Sequence, residues 1–182
     1  MKRAIPWLVT AALLAGAWLI TLLAPIEDAS VQPFIVPAVL GEEAVGREFT
    51  LTVQDVQLAE HVSGAKGWNA DGTWLVVDLD AEANHEQYGM LLAGATLTIG
   101  DQSFRASERM DSFLRSELVT GVSRSGTLAF ELPESALSGT GILELSTNDD
   151  TRADSVVELE IDLDELTPVT EADILAADWT NQ

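Results

Sequence analysis

The sequence contains no cysteine in its 182 residues. This absence excludes a disulfide framework, a thiolate nucleophile, a zinc–thiolate site and a lipid anchor attached to cysteine. An exported domain without disulfides is held together by its hydrophobic core alone. That property fits a bacterial surface protein better than a eukaryotic ectodomain.

Basic residues are also scarce. Lysine and arginine number 9 against 30 aspartates and glutamates, which gives a net charge of −21. A charge of this sign and size repels nucleic-acid phosphates and anionic lipid headgroups. We therefore expect no nucleic-acid partner, whereas a cationic partner, divalent cations or a purely solubilising role all remain open.

The chain has only two histidines, His61 and His85, and each lies next to a glutamate. No His-x-x-x-His pair is present, and no serine lies in a nucleophile-elbow context. We interpret both histidines as exposed loop residues and expect no enzyme, no catalytic residue and no cofactor. Since the members of a Ser-His-Asp triad need not be close in sequence, a hydrolase stays as the least favoured alternative.

Charge is absent from one long stretch, Ala4–Ala24. As a helix, its roughly 20 residues rise about 1.5 Å each and match a hydrocarbon core about 30 Å thick. Lys2 and Arg3 precede it and acidic residues follow it, so the N-terminus is expected in the cytoplasm. The sequence predicts a single-pass anchor whose partner is the lipid bilayer, with the C-terminal domain outside the plasma membrane.

A cleaved signal peptide is the alternative to this anchor. Ala15-Gly16-Ala17 has the small-x-small form that a signal peptidase accepts. Cleavage there would release a secreted protein with an apolar N-terminus.

Alternation of apolar and polar residues dominates the chain after residue 46. The clearest strand is Trp74–Ala83, and a one-residue phase shift at Asp55 predicts a β-bulge in the strand before it. Further strands are predicted over 126–132, 141–145 and 156–163, with a hairpin over 94–105 and a loop over His61–Asp71. About seven short strands without an amphipathic helix favour an antiparallel β-sandwich.

Proline and polar segments suggest the domain boundaries. Pro33 and Pro37 indicate a linker, while Thr170 with Asp173 resembles the start of a short helix that reaches Trp179. The predicted division is 1–25 as cytoplasmic stub and transmembrane anchor, 26–45 as extracytoplasmic linker, 46–164 as sandwich and 165–182 as acidic tail.

Four runs of the chain together resemble the bacterial immunoprotective extracellular immunoglobulin-like family. They are GREFTLTVQDVQLAE, WLVVDLDAEAN, LLAGATLTIGDQSFRA and ELVTGVSRSGTLAFELPES, the last holding the strand Gly126–Pro133. The resemblance covers roughly residues 41 to 163. It implies an immunoglobulin-like sandwich outside the cell and carries over no catalytic residue.

Acidic stripes and two tryptophans are the candidate contacts for a partner. Acidic residues recur on one face of the predicted strand 74–83 and on one face of the predicted strand 156–163. Two tryptophans flank a glycine-rich stretch between residues 68 and 74. The candidates are Trp68, Trp74, Asp78, Asp80, Glu158, Glu160 and Asp162. The alternatives are a solvated outer face that protects against aggregation and, for Trp74, a place in the core.

Asp149, Asp150 and Asp154 form the only candidate cluster for calcium, since hard oxygen ligands suit this ion. No D-x-D-x-D-G loop accompanies them. We therefore predict no metal site.

Taken together, these features predict a membrane-anchored binding or scaffold module of the bacterial cell envelope, with another envelope protein as its partner. The alternative is an accessory subunit of an envelope transport or cell-wall assembly complex. In that case the small residues Ala11, Ala12, Ala15 and Gly16 would let the helix itself dock.

Overall fold

The computed structural model describes residues 5–23, 32–85, 89–152 and 154–179. The chain divides into two units, Met1–Gln32 and Pro33–Gln182. In the first unit, Ile5–Leu23 forms helix α1. No helix within the described residues combines the length and apolar character needed to cross a membrane, so the predicted transmembrane helix over Ala4–Ala24 is not supported. Lys2, Arg3 and the start of the predicted linker lie outside the described residues.

The second unit is a β-sandwich, as predicted. Sheet A contains, in spatial order, β1 (Phe34–Ala38), β9 (Ser155–Asp162), β8 (Thr140–Ser146), β5 (Gly94–Ile99) and β6 (Gln102–Arg105). Sheet B contains β10 (Ala172–Ile174), β3 (Phe49–Gly64), β4 (Trp68–Ala83), β7 (Arg124–Leu132) and β11 (Asp178–Trp179), with β2 (Glu43–Val45) also paired to β3. Most pairings are antiparallel, but β1 runs parallel to β9 and β10 runs parallel to β3.

The main core lies between the two sheets. In β4 the inward residues Leu75, Val77, Leu79 and Ala81 are buried, as their alternation predicts. They meet Leu143, Leu145, Val157 and Leu159 of sheet A. Phe113, from the segment that connects β6 and β7, is also fully buried in this core. Each such side chain contributes about 1.5–3 kcal/mol when its surface leaves water.

The β3–β4 hairpin is longer than predicted. The bulge at Asp55 is confirmed, because the register shifts between Val53 and Asp55. The loop predicted over His61–Asp71 is wrong, since β3 continues to Gly64 and β4 begins at Trp68 after a 3-10 turn. Lys66 has a φ of 62° there, so the reversal occupies only Ala65–Gly67.

Two short strands lie inside the segment predicted as a linker. β1 pairs with β9 and β2 pairs with β3, so the linker prediction is wrong for these residues. Pro37 is compatible with β1 because this strand is the edge of sheet A, where the missing N–H costs no ladder hydrogen bond.

The C-terminal tail forms strands β10 and β11, so the predicted helix ending at Trp179 is wrong. These strands belong to opposite ends of the sheet B order, although only four residue steps separate Ile174 from Asp178. Four extended residues reach about 14 Å, whereas four inter-strand spacings in a flat sheet amount to about 19 Å. Sheet B is therefore strongly curled, and β10 also contacts β7.

A second hydrophobic cluster lies on the outer side of sheet B. Its buried members are Ala59, Val62, Trp74, Val76, Met110, Ala129, Ala172 and Ile174. The tail supplies the last two residues and thereby covers the outward side chains of β4. Gly126 lets the tail approach closely, because a Cβ there would lie 2.7 Å from the Phe113 ring and 3.2 Å from the Ala177 backbone.

Candidate functional site

The outer side of sheet A carries a row of carboxylates. In β9, Val157, Leu159 and Ile161 are buried, whereas Glu160 and Asp162 are exposed and Glu158 is half-buried. In β8, Glu144 lies directly opposite Glu158. We call Glu144, Glu158, Glu160 and Asp162 the acidic face.

Glu144 was not among the sequence-predicted contacts. The alternation of β8 places Leu143 and Leu145 inward, which is the signal that would have found it. Like charges in direct cross-strand register destabilise a sheet, so the acidic face favours a cationic occupant. The ion pairs of Lys66, Arg105, Arg109, Arg115 and Arg152 all use other carboxylates.

The basic residues of the sandwich are already engaged with other groups. Five of them pair with acids, in Lys66–Asp111, Arg105–Asp149, Arg109–Glu131, Arg115–Glu108 and Arg152–Asp150. Arg124 donates to the carbonyls of Glu117 at 2.7 Å and Ala177 at 2.9 Å. The contacts of these six basic residues do not involve the acidic face.

The other predicted stripe lies on sheet B, so the two stripes are not neighbours. Thr127 Oγ1 donates to Asp78 at 2.8 Å, and Gln54 Nε2 donates to Asp80 at 2.6 Å. Burial raises the pKa of Asp78, and the negative charge of Asp55 on the facing strand raises it further, while the Thr127 hydrogen bond opposes both effects. These contacts give Asp78 and Asp80 a structural role.

The two tryptophans differ in exposure. Trp74 is fully buried in the second cluster, which corrects its prediction as a partner contact. Trp68 packs edge-on against it, with ring centroids 6.0 Å apart, and stays partly exposed. Only Trp68 retains surface for a partner.

The three calcium candidates are bound by protein donors. Hydrogen bonds from the side chain and backbone of Arg152 lower the pKa of Asp150 to about 2. Arg105 donates to Asp149 at 2.9 Å, and Asn148 Nδ2 donates to Asp154 at 2.7 Å. In the described ranges, no three metal-ligating side chains are grouped to hold an ion. These carboxylates instead order the β8–β9 loop.

The two histidines differ in their structural setting. His61 is in β3, not in a loop as predicted, and its Nδ1 lies 2.7 Å from Asp71 Oδ1. His85 is exposed just after β4. Asp71 is 96% exposed, so the His61–Asp71 pair is open to water.

Comparison with known proteins identifies the fold alone. No protein-family model and no curated protein matches the chain. An uncharacterized β-sandwich protein from Clostridium difficile 630 is similar in structure, with a TM-score of 0.52 and 11% identity, covering 76% of this chain and 99% of its own. The yjhA protein from Bacillus subtilis has a TM-score of 0.46 and 22% identity, covering 67% of this chain and 99% of its own.

Proposed function

We propose that the sandwich is a non-catalytic binding or scaffold module whose acidic face docks a basic protein of the bacterial cell envelope. The observation that carries the proposal is the facing pair Glu144 and Glu158, with Glu160 and Asp162 beside it. Lys66 and four of the arginines pair with carboxylates outside this face, and Arg124 donates to two backbone carbonyls. Attraction between this negative face and a positively charged partner increases binding specificity and the association rate more than it increases affinity.

The location outside the cytoplasm is part of the same proposal. Its support is the uncharged N-terminal run that follows Lys2 and Arg3. Mass spectrometry of the cell-associated and released protein, with alkaline carbonate extraction, separates a retained leader from a removed signal peptide. A full-length protein in the cytosolic fraction would contradict this location.

Kinship with the immunoprotective immunoglobulin-like family also belongs to the proposal. It is supported by the agreement between the family-like segments and the strands β3, β4, β5–β6 and β7. The alternative, an accessory subunit docked through its helix, predicts that deleting residues 1–25 abolishes partner capture. The module predicts that capture survives this deletion.

The central experiment removes the charge of the acidic face while keeping its shape. We expect the triple variant Glu144→Gln, Glu158→Gln, Glu160→Gln to lose most in-cell cross-linking to the partner that the wild type captures. The control is Glu42→Gln, Glu134→Gln, Glu171→Gln, which makes the same change in net charge at exposed positions outside this face. Equal capture by both variants would contradict a role for the acidic face.

A further inference from the structure

Exposed apolar side chains are concentrated where the chain passes from β1 to β2. Five of them, each between 45% and 59% exposed, form what we call the apolar patch: Phe34, Ile35, Val39, Leu40 and Val45. The other large apolar side chains that are exposed among the described residues of this unit are Val122, Leu175 and Trp179. Apolar residues that are exposed as a group, unlike single ones, mark a contact site.

The two strands that carry the apolar patch lie side by side. The Glu42 N–H donates to the Val39 carbonyl at 3.0 Å, which closes the turn between β1 and β2. At the other end of the two strands, the guanidinium of Arg47 lies 5.9 Å from the centre of the Phe34 ring. β1 and β2 also contact each other, although they belong to different sheets. The five side chains therefore lie on one short segment with two neighbouring strands.

The apolar patch lies in a stretch of the sequence without charge. No charged residue occurs in residues 29–41, although the whole chain has a net charge of −21. Two copies of the chain would each bring this excess of negative charge, so repulsion opposes self-association through the patch. A basic partner would find no carboxylate among the five side chains. The patch therefore favours an uncharged, apolar surface as its partner.

The outer edge of β1 offers few hydrogen-bond donors. The Phe34 N–H donates to the Asp154 carbonyl at 2.8 Å, on the side where β1 pairs with β9. Backbone groups of successive residues face opposite edges of a strand, so Ile35 and Pro37 face away from β9, and proline has no N–H. An added peptide strand would gain little at this edge. A lipid environment accepts such an edge more readily, because lipid leaves exposed donors unsatisfied.

The place of the apolar patch along the chain favours a bilayer as this uncharged surface. Helix α1 contains no charged residue, and its Trp7, Leu13 and Leu14 side chains are 67–79% exposed. A helix that is apolar on all sides is stable only where an apolar environment covers it. Ten residues separate the end of α1 at Leu23 from Phe34, and ten extended residues reach about 33–36 Å. A bilayer that covers α1 therefore lies within reach of the patch.

We propose that the apolar patch contacts the surface of a zwitterionic lipid bilayer, with its side chains in the boundary between headgroups and acyl chains. Glu42 and Glu43 border the patch and are exposed, so anionic lipids are not the expected partner. The contact fixes which side of the sandwich faces the membrane. It does not involve the carboxylates of the acidic face, whose partner capture is measured separately, so either proposal can fail without the other.

The test uses the absence of cysteine from the chain, because a single introduced cysteine then carries the only label. The full-length protein is labelled with an environment-sensitive fluorophore at Val39→Cys or Leu40→Cys and reconstituted into phosphatidylcholine vesicles. Both residues are exposed, so these substitutions should leave the core intact. Vesicles that contain spin-labelled lipid quench a fluorophore that touches the bilayer.

The matched controls are Val122→Cys and Leu175→Cys, which replace exposed apolar residues outside the patch. We expect spin-labelled lipid to quench most of the emission at positions 39 and 40 and little of the emission at positions 122 and 175. Flotation with the vesicles separately reports whether the protein attaches to lipid at all.

Three results would overturn the proposal. The first is equal quenching at all four positions. The second is absence of quenching at positions 39 and 40, whether or not the protein floats with the vesicles. The third is a blue shift at position 39 that grows with protein concentration in detergent without lipid, because a second copy of the chain then covers the patch.

Discussion

Single carboxylates of this protein fall into two classes that depend on their hydrogen-bond donors. Asp150 is held by Arg152, whereas Asp78 is half-buried and receives a neutral hydroxyl from Thr127. The hydrogen bonds from Arg152 lower the pKa of Asp150. At Asp78, burial outweighs the hydrogen bond from Thr127, so the pKa of Asp78 is raised. Folding therefore favours the ionised Asp150 but the protonated Asp78.

The sign of the Asp78 shift leads to a prediction for Asp78→Asn. A raised pKa in the folded state means that stability is lost as the pH rises through the titration of this group. Asparagine keeps an oxygen that accepts from Thr127 and removes the repulsion with Asp55. We expect the variant to gain about 0.5 kcal/mol at pH 7, as for a relieved cross-strand pair.

Thermal unfolding at pH 7 and pH 3 measures this gain. It should disappear at pH 3, where the wild-type carboxyl is already protonated. Asp101→Asn, at an exposed turn, is the control and should change little. An Asp78→Asn variant less stable than the wild type at pH 7 would show that the charge of Asp78 stabilises the fold.

Residue-level prediction succeeded where periodicity alone decides burial. Leu75 and Leu79 are buried and Glu160 is exposed, as the alternation of their strands predicts. For Trp74 the sequence leaves a partner contact and a place in the core open, because this residue lies on the polar face of β4. Met110 and the tail residues Ala172 and Ile174 belong to the cluster that buries it.

Among the elements, the tail shows how tertiary pairing overrides local signals. Thr170 and Asp173 suggest a capped helix, but residues 172–174 pair with Val62–Gly64, and the Asp173 carboxylate accepts the Ser63 hydroxyl. Thr127 N–H donates to the Leu175 carbonyl at 3.0 Å, so the tail also binds β7. A helix at these positions would leave the edges of β3 and β7 unpaired and the second cluster uncovered, so the tail forms strands instead.

Neighbouring residues of the tail provide a prediction with an internal control. Ile174 is 2% exposed in the second cluster, whereas Leu175 is 59% exposed. Ile174→Ala should destabilise the protein by about 2–5 kcal/mol through lost burial and a cavity. Leu175→Ala should stay within about 0.5 kcal/mol of the wild type.

Urea unfolding followed by tryptophan fluorescence checks this pair, because Trp74 belongs to the same cluster. The fluorescence of Ile174→Ala should also report solvent entering the cluster at low urea. Similar costs for both alanine variants would contradict the packing assigned to the tail.

Strand prediction worked best where alternation is long and failed where proline or glycine interrupts it. β4, β7 and β9 were found from their patterns, and so was the bulge at Asp55. β1 was missed because Pro37 argues against a strand unless the strand is known to lie at an edge. The far half of the β3–β4 hairpin was missed because Gly64 and Gly67 indicate a loop.

For the whole molecule, the sequence predicts the two-layer architecture from strand count and the absence of amphipathic helices. Sequence reasoning missed the curl of sheet B, because the curl depends on β10 and β11 binding opposite ends of the sheet order. Net charge is the other global property. At −21, with the basic residues of the sandwich largely paired, the folded state carries substantial self-repulsion.

Salt should therefore stabilise the protein. Raising sodium chloride from about 0.01 M to about 0.15 M shortens the screening length from about 30 Å to about 8 Å. We expect the Tm to rise by about 2–4 °C, the equivalent of about 1 kcal/mol for a domain of this size.

Calorimetry at constant pH measures this rise. The variant Glu42→Gln, Glu134→Gln, Glu171→Gln should show a smaller increase in Tm because its folded state starts with less charge repulsion. A Tm that falls with salt would show that the ion pairs outweigh the excess of acids.

The parallel pairing of β1 with β9 has a consequence for how the protein is made. β1 is the first strand of sheet A along the chain, and its partner β9 begins more than a hundred residues later. In sheet B, the Val62–Gly64 edge of β3 waits for β10, and the edge of β7 waits for β11. During synthesis β1 and this edge of β3 therefore remain open to wrong partners until nearly the entire polypeptide has emerged. Correct folding therefore benefits from a holding chaperone that covers β1 and the Val62–Gly64 edge of β3 until then.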